Sequence, residues 1–260
     1  MAKRLAVVLG VVLLGCLTMV KAQQFPLWEV MLHSAGKTDQ TPVPSMKMGN
    51  HMQMSLKRDV QPADEQRAQE ILAAARRVIL RYADVNTALK NGYKPFFPTG
   101  KIGEEVHYTN YRFGCCADYD HLRSILYKRT AQGMQAVGVM YTAPQNGSAD
   151  ELNAIVPLSI ATWHRHVDFC GAPRGVPLDE RFGPDAQFGA RGSIHTEEAC
   201  KAANGLWIPV VFGWMTHVYP DAKLPGQIWG GMEMTMGANG DGGETKMGAP
   251  GLALSRPGRM

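Results

Sequence analysis

Apolar residues past position 62 follow two successive rhythms. Ala68, Ile71, Leu72, Ala75, Val78, Ile79 and Tyr82 recur at spacings of three and four, with Arg and Glu between them, which predicts an amphipathic helix with one packed face. Pro62 followed by Ala63, Asp64 and Glu65 marks its start, since proline suits the first turn and acids suit the positive end of the helix dipole. A second short helix is predicted through Val85 to Leu89, stopping at Asn91-Gly92. Beyond residue 104 the chain changes to short β-rich runs cut by turns: 106–110, 124–128, 135–142, 159–168 and 209–219. Two brief helices interrupt these runs. One follows Ser148, where Ser-Ala-Asp-Glu forms a capping box, and the other spans 196–203, closed by Asn204-Gly205.

This order predicts an α+β protein with a mainly antiparallel β-sandwich or jelly-roll-like core and an N-terminal helix pair packed on it. One globular domain is expected over 62–220, with helices in 62–92 and strands in 104–220. The segment 23–61 mixes Pro, Met, Lys and Gly without periodicity, and 221–260 is rich in Gly and Met. Both are expected to be flexible.

Lys3 and Arg4 precede an apolar run over 5–20, so residues 1–22 read as a signal peptide. The run is short for a bilayer span, which needs about 20 residues. Ala22 offers ordinary cleavage, and Leu13-Leu14-Gly15-Cys16 offers a lipoprotein box. The residues after Cys16 stay apolar, which favours Ala22. A periplasmic or secreted chain with no transmembrane span is expected. The formal charge of +4 includes Lys3, Arg4 and Lys21, and without them basic and acidic residues nearly balance. No basic stripe is left for nucleic acid or an anionic membrane surface.

Cys115, Cys116, Cys170 and Cys200 remain beyond the leader, an even number in an oxidising compartment, so disulfides are expected. Cys170 with Cys200 is the preferred pairing, leaving Cys115 and Cys116 as a vicinal pair or as free thiols. Pairings that bind both neighbours to the distant cysteines stay open.

The sharpest chemical feature is Trp163-His164-Arg165-His166. In a strand, His164 and His166 share a face with Thr162 and Asp168, about 7 Å apart at the backbone, a spacing from which two imidazoles can converge on one ion. A lone His-x-His is equally two solvated residues on an edge strand. His107 and His217, however, also sit in predicted strands among aromatic residues, where a histidine must be hydrogen-bonded, charged or metal-bound. His107, His164, His166 and His217 are therefore the candidate metal ligands, with Asp168, Tyr108 and Tyr219 as candidates to orient the rings. His121 and His195 lie in turn-like contexts and are weaker candidates.

Methionine placement adds a second signal. Met46, Met48, Met52 and Met54 surround His51, and Met232, Met234 and Met236 form another cluster, both in polar, Gly-flanked segments without core periodicity. Thioethers with histidine in an exported chain suit soft copper better than zinc, calcium or magnesium. Hydrolase signatures such as Gly-x-Ser-x-Gly and His-Glu-x-x-His are absent, as is a phosphate loop. Glu104-Glu105 and Glu197-Glu198 read as flanks of strands or helices.

Several blocks resemble a family of bacterial exported proteins: residues 49–54, the helix end at Asn91-Gly92-Tyr93, His107-Tyr108-Thr109-Asn110-Tyr111, the run 137–144, the run 157–167 and the run 213–220. The resemblance covers most of 49–220. It implies a compact unit carrying His107, His164, His166 and His217, and it brings no reaction with it. Cys115-Cys116 departs from the family pattern, which speaks against an essential role for that pair and for a bond between Cys170 and Cys200.

The expected function is metal binding, with copper as the ion and zinc or iron as alternatives, for copper handling or tolerance. The rival is a mononuclear copper or iron oxidase or oxygenase on the same histidines, with a small-molecule substrate and a pocket lined by Trp163, Trp207, Trp214 and Tyr108. A metal-free binding module is the third reading, if the histidines lie scattered in space.

Overall fold

The computed structural model describes residues 42–96, 101–114, 118–183 and 185–230. Residues 1–22, expected to be a signal peptide, and Cys115, Cys116, Met232, Met234 and Met236 lie outside these residues.

The long predicted helix is α1, Asp64–Arg81, and its buried residues include Ala68, Ile71, Leu72, Ala75 and Val78 from the predicted stripe. Its first residue does more than face the dipole. The Asp64 carboxylate accepts bonds from the Ser159 hydroxyl at 2.6 Å and the Gln61 amide at 2.9 Å, and these bonds lower its pKa despite its burial. The second helix, α2 (Val85–Lys90), is capped by Asp84, whose side chain accepts from the Asn86 amide. It ends at Gly92, whose φ of 91° suits glycine. The capping box is realised in α3 (Ala149–Ile155), where Ser148 and Glu151 each bond the other's backbone amide.

Among the described residues nine strands form the sheet: β1 (Ser45–Lys47), β2 (Met52–Ser55), β3 (Lys94–Pro95), β4 (Glu105–Thr109), β5 (Ser124–Thr130), β6 (Gly133–Ala143), β7 (His164–Gly171), β8 (Leu206–Val210) and β9 (Trp214–Val218). Their order is β1-β2-β7-β9-β6-β5-β4-β3, with β8 paired to β7, and every pairing is antiparallel. The α+β class and the mainly antiparallel sheet agree with the sequence reading. The strands are joined edge to edge in one connected sheet, and two of them precede the helices.

The domain is wider than 62–220. Strands of three and four residues are too short to show a periodicity, yet β1 and β2 fold the Met-rich segment onto the free side of β7. On the other side, Trp229 bridges Val218 after the short helix α6 (Pro225–Ile228), so the chain up to residue 230 packs on the domain. The predicted strand over 159–168 begins only at His164, because the Ile160 and Ala161 amides turn back to the Pro157 carbonyl. The predicted run 209–219 divides into β8 and β9. The break falls near Gly213, where any side chain would collide with the Ala143 carbonyl.

Helices α1, α2 and α3 all pack on β6, whereas the short helix α4 (Asp179–Phe182) lies in the segment after β7. The sheet face toward them carries Val106, Tyr108, Ile125, Tyr127, Val139, Tyr141, Trp214 and Val218, packed with Ile71, Val78, Leu152 and Trp163. The opposite face carries Leu126, Met140 and Met215, with Val137, Phe212 and Tyr219 against them. Strand β9 is buried at all five residues, so both of its faces are covered. Among the described residues no helix is long and apolar enough to cross a membrane.

Two irregularities of the sheet lie beside this second face. The β5–β6 register slips between Leu126 and Tyr127, and Gly138 stands opposite Leu126. A Cβ at Gly138 would lie 2.7 Å from Tyr219 Cδ1 and 2.9 Å from the Val218 carbonyl, so the Tyr219 ring lies across the β6 backbone where only glycine leaves room.

Cys170, near the end of β7, is bonded to Cys200 in α5 (Glu197–Ala202), closing a sequence separation of 30. Thr196 caps α5 as its sequence suggested, and Gly205 passes so close to both sulfurs that a side chain there would displace them. Replacing both cysteines by alanine should lower unfolding stability by about 3–4 kcal/mol through the freed loop. Urea unfolding of the variant beside the parent protein measures this loss.

Candidate metal centre

His164 and His166 are the first and third residues of β7, so both side chains leave the sheet on the same face. Their ring centroids are 5.6 Å apart. Arg165 between them goes to the helix side. Its guanidinium stacks on Trp214 at 4.6 Å and donates to Gln53 Oε1 and the Gln145 carbonyl, which locks the phase of the strand. His217 on β9 brings its ring to 5.1 Å from that of His164. His107 on β4 reaches 5.0 Å from His217 although β6 and β5 separate their strands, so the sheet curls toward this face. The four histidines singled out from the sequence thus form one continuous chain of rings, and the scattered arrangement is not what the fold produces.

Glu105 joins this cluster, a residue that the sequence reading passed over as a strand flank. Its Oε1 lies 3.6 Å from His107 Nε2 and accepts a bond from the Tyr219 hydroxyl at 3.1 Å. That hydroxyl is 3.5 Å from His217 Nδ1. Burial first, then Glu105, pushes the Tyr219 pKa up, so the phenol keeps the proton it donates. The available signal was the two-residue step from Glu105 to His107 within one strand.

The other expected orienting groups go elsewhere. Tyr108 lies in the core under the helices, and Asp168 pairs with Lys47 at 2.5 Å. Asp168 has a φ of 57°, and beyond it Phe169 falls on the histidine side, 5.8 Å from His166 and 5.3 Å from His51. His51 is buried, and its Nε2 donates to the Gly192 carbonyl at 2.6 Å. His121 and His195 are exposed and bonded to Asp118 and to the Ser193 carbonyl. Trp163 and Trp214 pack under the helices and Trp207 packs beside the disulfide, so the aromatics expected to line a substrate pocket do not gather at the histidines.

Methionines fill the positions beside the rings. Met52 stands opposite His166, Met54 and Met215 stand opposite His164 on its two sides, and Met140 stands opposite His217. Met46 continues the row beyond Met54 at the sheet edge, while Met48 is exposed in the turn between β1 and β2.

Burial governs the charge of the cluster. Desolvation, reinforced by the neighbouring histidines, lowers the His164 pKa to about 3 and the His217 pKa well below its ordinary value. His166 falls to about 4 for the same reasons, against a hydrogen bond to the His51 backbone that pulls the other way. At neutral pH all three are neutral imidazoles, the form that binds metals. Buried Nε2 of His217 and Nδ1 of His51 have no hydrogen-bond partner among the described residues. Such an orphaned group costs about 1–3 kcal/mol unless something engages it.

Metal–nitrogen bonds of about 2.0–2.1 Å in tetrahedral directions hold imidazole centroids roughly 5 Å apart. Successive rings, at 5.0, 5.1 and 5.6 Å, meet this spacing pairwise along the chain. The rings stand edge to face, and among the described residues no group of three or more His, Cys, Asp or Glu side chains forms a ready-made ion site. Ligation would require ring rotations within the cluster.

The depressed pKa values make acid the natural denaturant of this face. On unfolding below about pH 6.5 each of these histidines takes up a proton it refuses in the fold, so stability is full above that pH. It is lost progressively as pH falls toward the folded values of about 4 and about 3. Metal-free protein should show a urea midpoint that is flat above pH 7 and declines below 6.5, and His164→Gln should make the decline shallower. An unchanged slope in that variant would show that His164 is not buried as a neutral ring.

Set against protein-family models, curated proteins and solved structures, the chain has no match in any of the three comparisons.

Proposed function

We propose that the protein is an exported metal-binding protein that takes up copper on His164, His217, His166 and His107 and serves copper handling or tolerance. The observation that carries this reading is the chain of four imidazoles, three of them neutral at physiological pH, with an unpartnered buried Nε2 on His217. A purely structural core would fill these positions with apolar side chains and avoid both the desolvation and the orphaned nitrogen. Imidazole suits copper, zinc and iron alike, and the methionines beside the rings favour copper. Glu105 and Tyr219 stand against His107 and His217, where orienting partners of metal-bound histidines would stand. The Cys170–Cys200 disulfide is compatible with an oxidising compartment, as the leader sequence suggests. We read the return of β4 toward β7 and β9 as sandwich-like, with the histidine face as its interior.

Elemental analysis of purified protein after exposure to equal copper, zinc and iron tests the reading. One copper per chain is expected. His164→Ala and His217→Ala should each weaken it by more than the roughly 10–100-fold that loss of an orienting partner costs. Absence of copper uptake by the parent protein would end the proposal.

A further inference from the structure

Cross-strand partners on the histidine face repeat one chemical pairing. Each of the three ring positions in β7 and β9 faces a methionine on a neighbouring strand: His166 faces Met52, His164 faces Met54 and Met215, and His217 faces Met140. These strands do not use methionine indiscriminately. Where β6 pairs with β9, the helix side carries Val139, Tyr141, Ala143, Trp214, Thr216 and Val218, with no methionine among them. Met52, Met140 and Met215 are buried, so their sulfurs serve no solvent-facing role.

Resting on the metal reading above, we infer that the bound ion is Cu(I), and that Met54 and Met215 supply thioether ligands beside His164 in one mixed imidazole–thioether centre. The row Met54-His164-Met215 crosses β2, β7 and β9 in register. Directly opposed residues have Cβ atoms about 4.5–5.5 Å apart, and a methionine has three rotatable bonds with which to reach an ion on its neighbour's ring. Soft thioethers select Cu(I), whereas zinc gains little from them. The same rows explain the composition around His51: the methionines at 46, 52 and 54 belong to the centre and its edge, not to a separate trap on a loose segment. No electron transfer is involved, since the ion arrives and stays monovalent.

Cu(I) competition against a chromogenic bidentate chelator, under reductant, tests this with the purified protein, Met54→Leu, Met215→Leu and the double variant. Leucine nearly conserves the volume, so the fold is kept, and circular dichroism of each variant checks it. Met48→Leu, in the exposed turn, serves as the control. The double variant should lose Cu(I) affinity by about tenfold or more while Zn(II) affinity stays within about twofold, and the control should match the parent. Copper-edge X-ray absorption should show sulfur neighbours in the parent and lose them in the double variant. Unchanged Cu(I) affinity and no sulfur scattering, with His217→Ala still impaired, would overturn the thioether assignment and leave the histidine reading standing. Failure of the parent protein to bind Cu(I), Cu(II) or Zn(II) would overturn both.

Discussion

Strands β7 and β9 meet at a single register pair, His164 opposite Met215, supported by the Thr216 hydroxyl bonded to the Thr162 carbonyl. Much of the remaining sheet hangs on that junction. Strand β7 carries β2 and, through β2, β1 on one side, with β8 attached farther along, while β9 carries the series β6, β5, β4 and β3. The residue pair at the seam is therefore also the centre of the candidate site. A change there acts on sheet assembly and on ligand geometry together. Substitutions at His164 have to be read with a fold control, whereas Met54 stands in the short strand β2, between Met46 of β1 and His164 of β7.

The face this seam exposes is an unusual solution to burial. Apolar packing holds the helix side, with two tryptophans and several tyrosines in one continuous cluster. On the other side the chain buries imidazoles that must give up their charge to be there. Natural sequences depart from the most stable choice mainly where function demands it. Glu105 and Tyr219 limit the damage by bonding each other and approaching His107 and His217, yet His217 Nε2 has no partner among the described residues.

Much of this was legible in the residues. The stripe from Ala68 to Tyr82, the Ser148–Glu151 box and the Asn91-Gly92 stop each rest on a local rule, and local rules do not need tertiary context. The four histidines were legible because strand alternation puts His164 and His166 on one side, and aromatic flanks mark His107 and His217 as interior. What escaped depended on pairing. β1 and β2 are too short to carry a period and owe their form to β7. Met140 and Met215 resemble ordinary core filler until the register sets them against His217 and His164. Glu105 belongs to the cluster because His107 and Tyr219 come together across β5 and β6, and Asp168 left the predicted face because its backbone turns left-handed.

The order of the strands also has a kinetic meaning. His107, His164, His166 and His217 come from three strands, β4, β7 and β9, that are far apart in the chain, and β2 pairs with β7 across the whole of the helical region. Contacts of such long range form late and slowly, because the loops between them must close first. While the chain is still unfolded, any ion could meet its histidines and methionines only as isolated side chains. On the proposed assignment the donors come together only when β2, β7 and β9 have paired, so discrimination among metals would be exercised by the finished sheet and not by the emerging polypeptide.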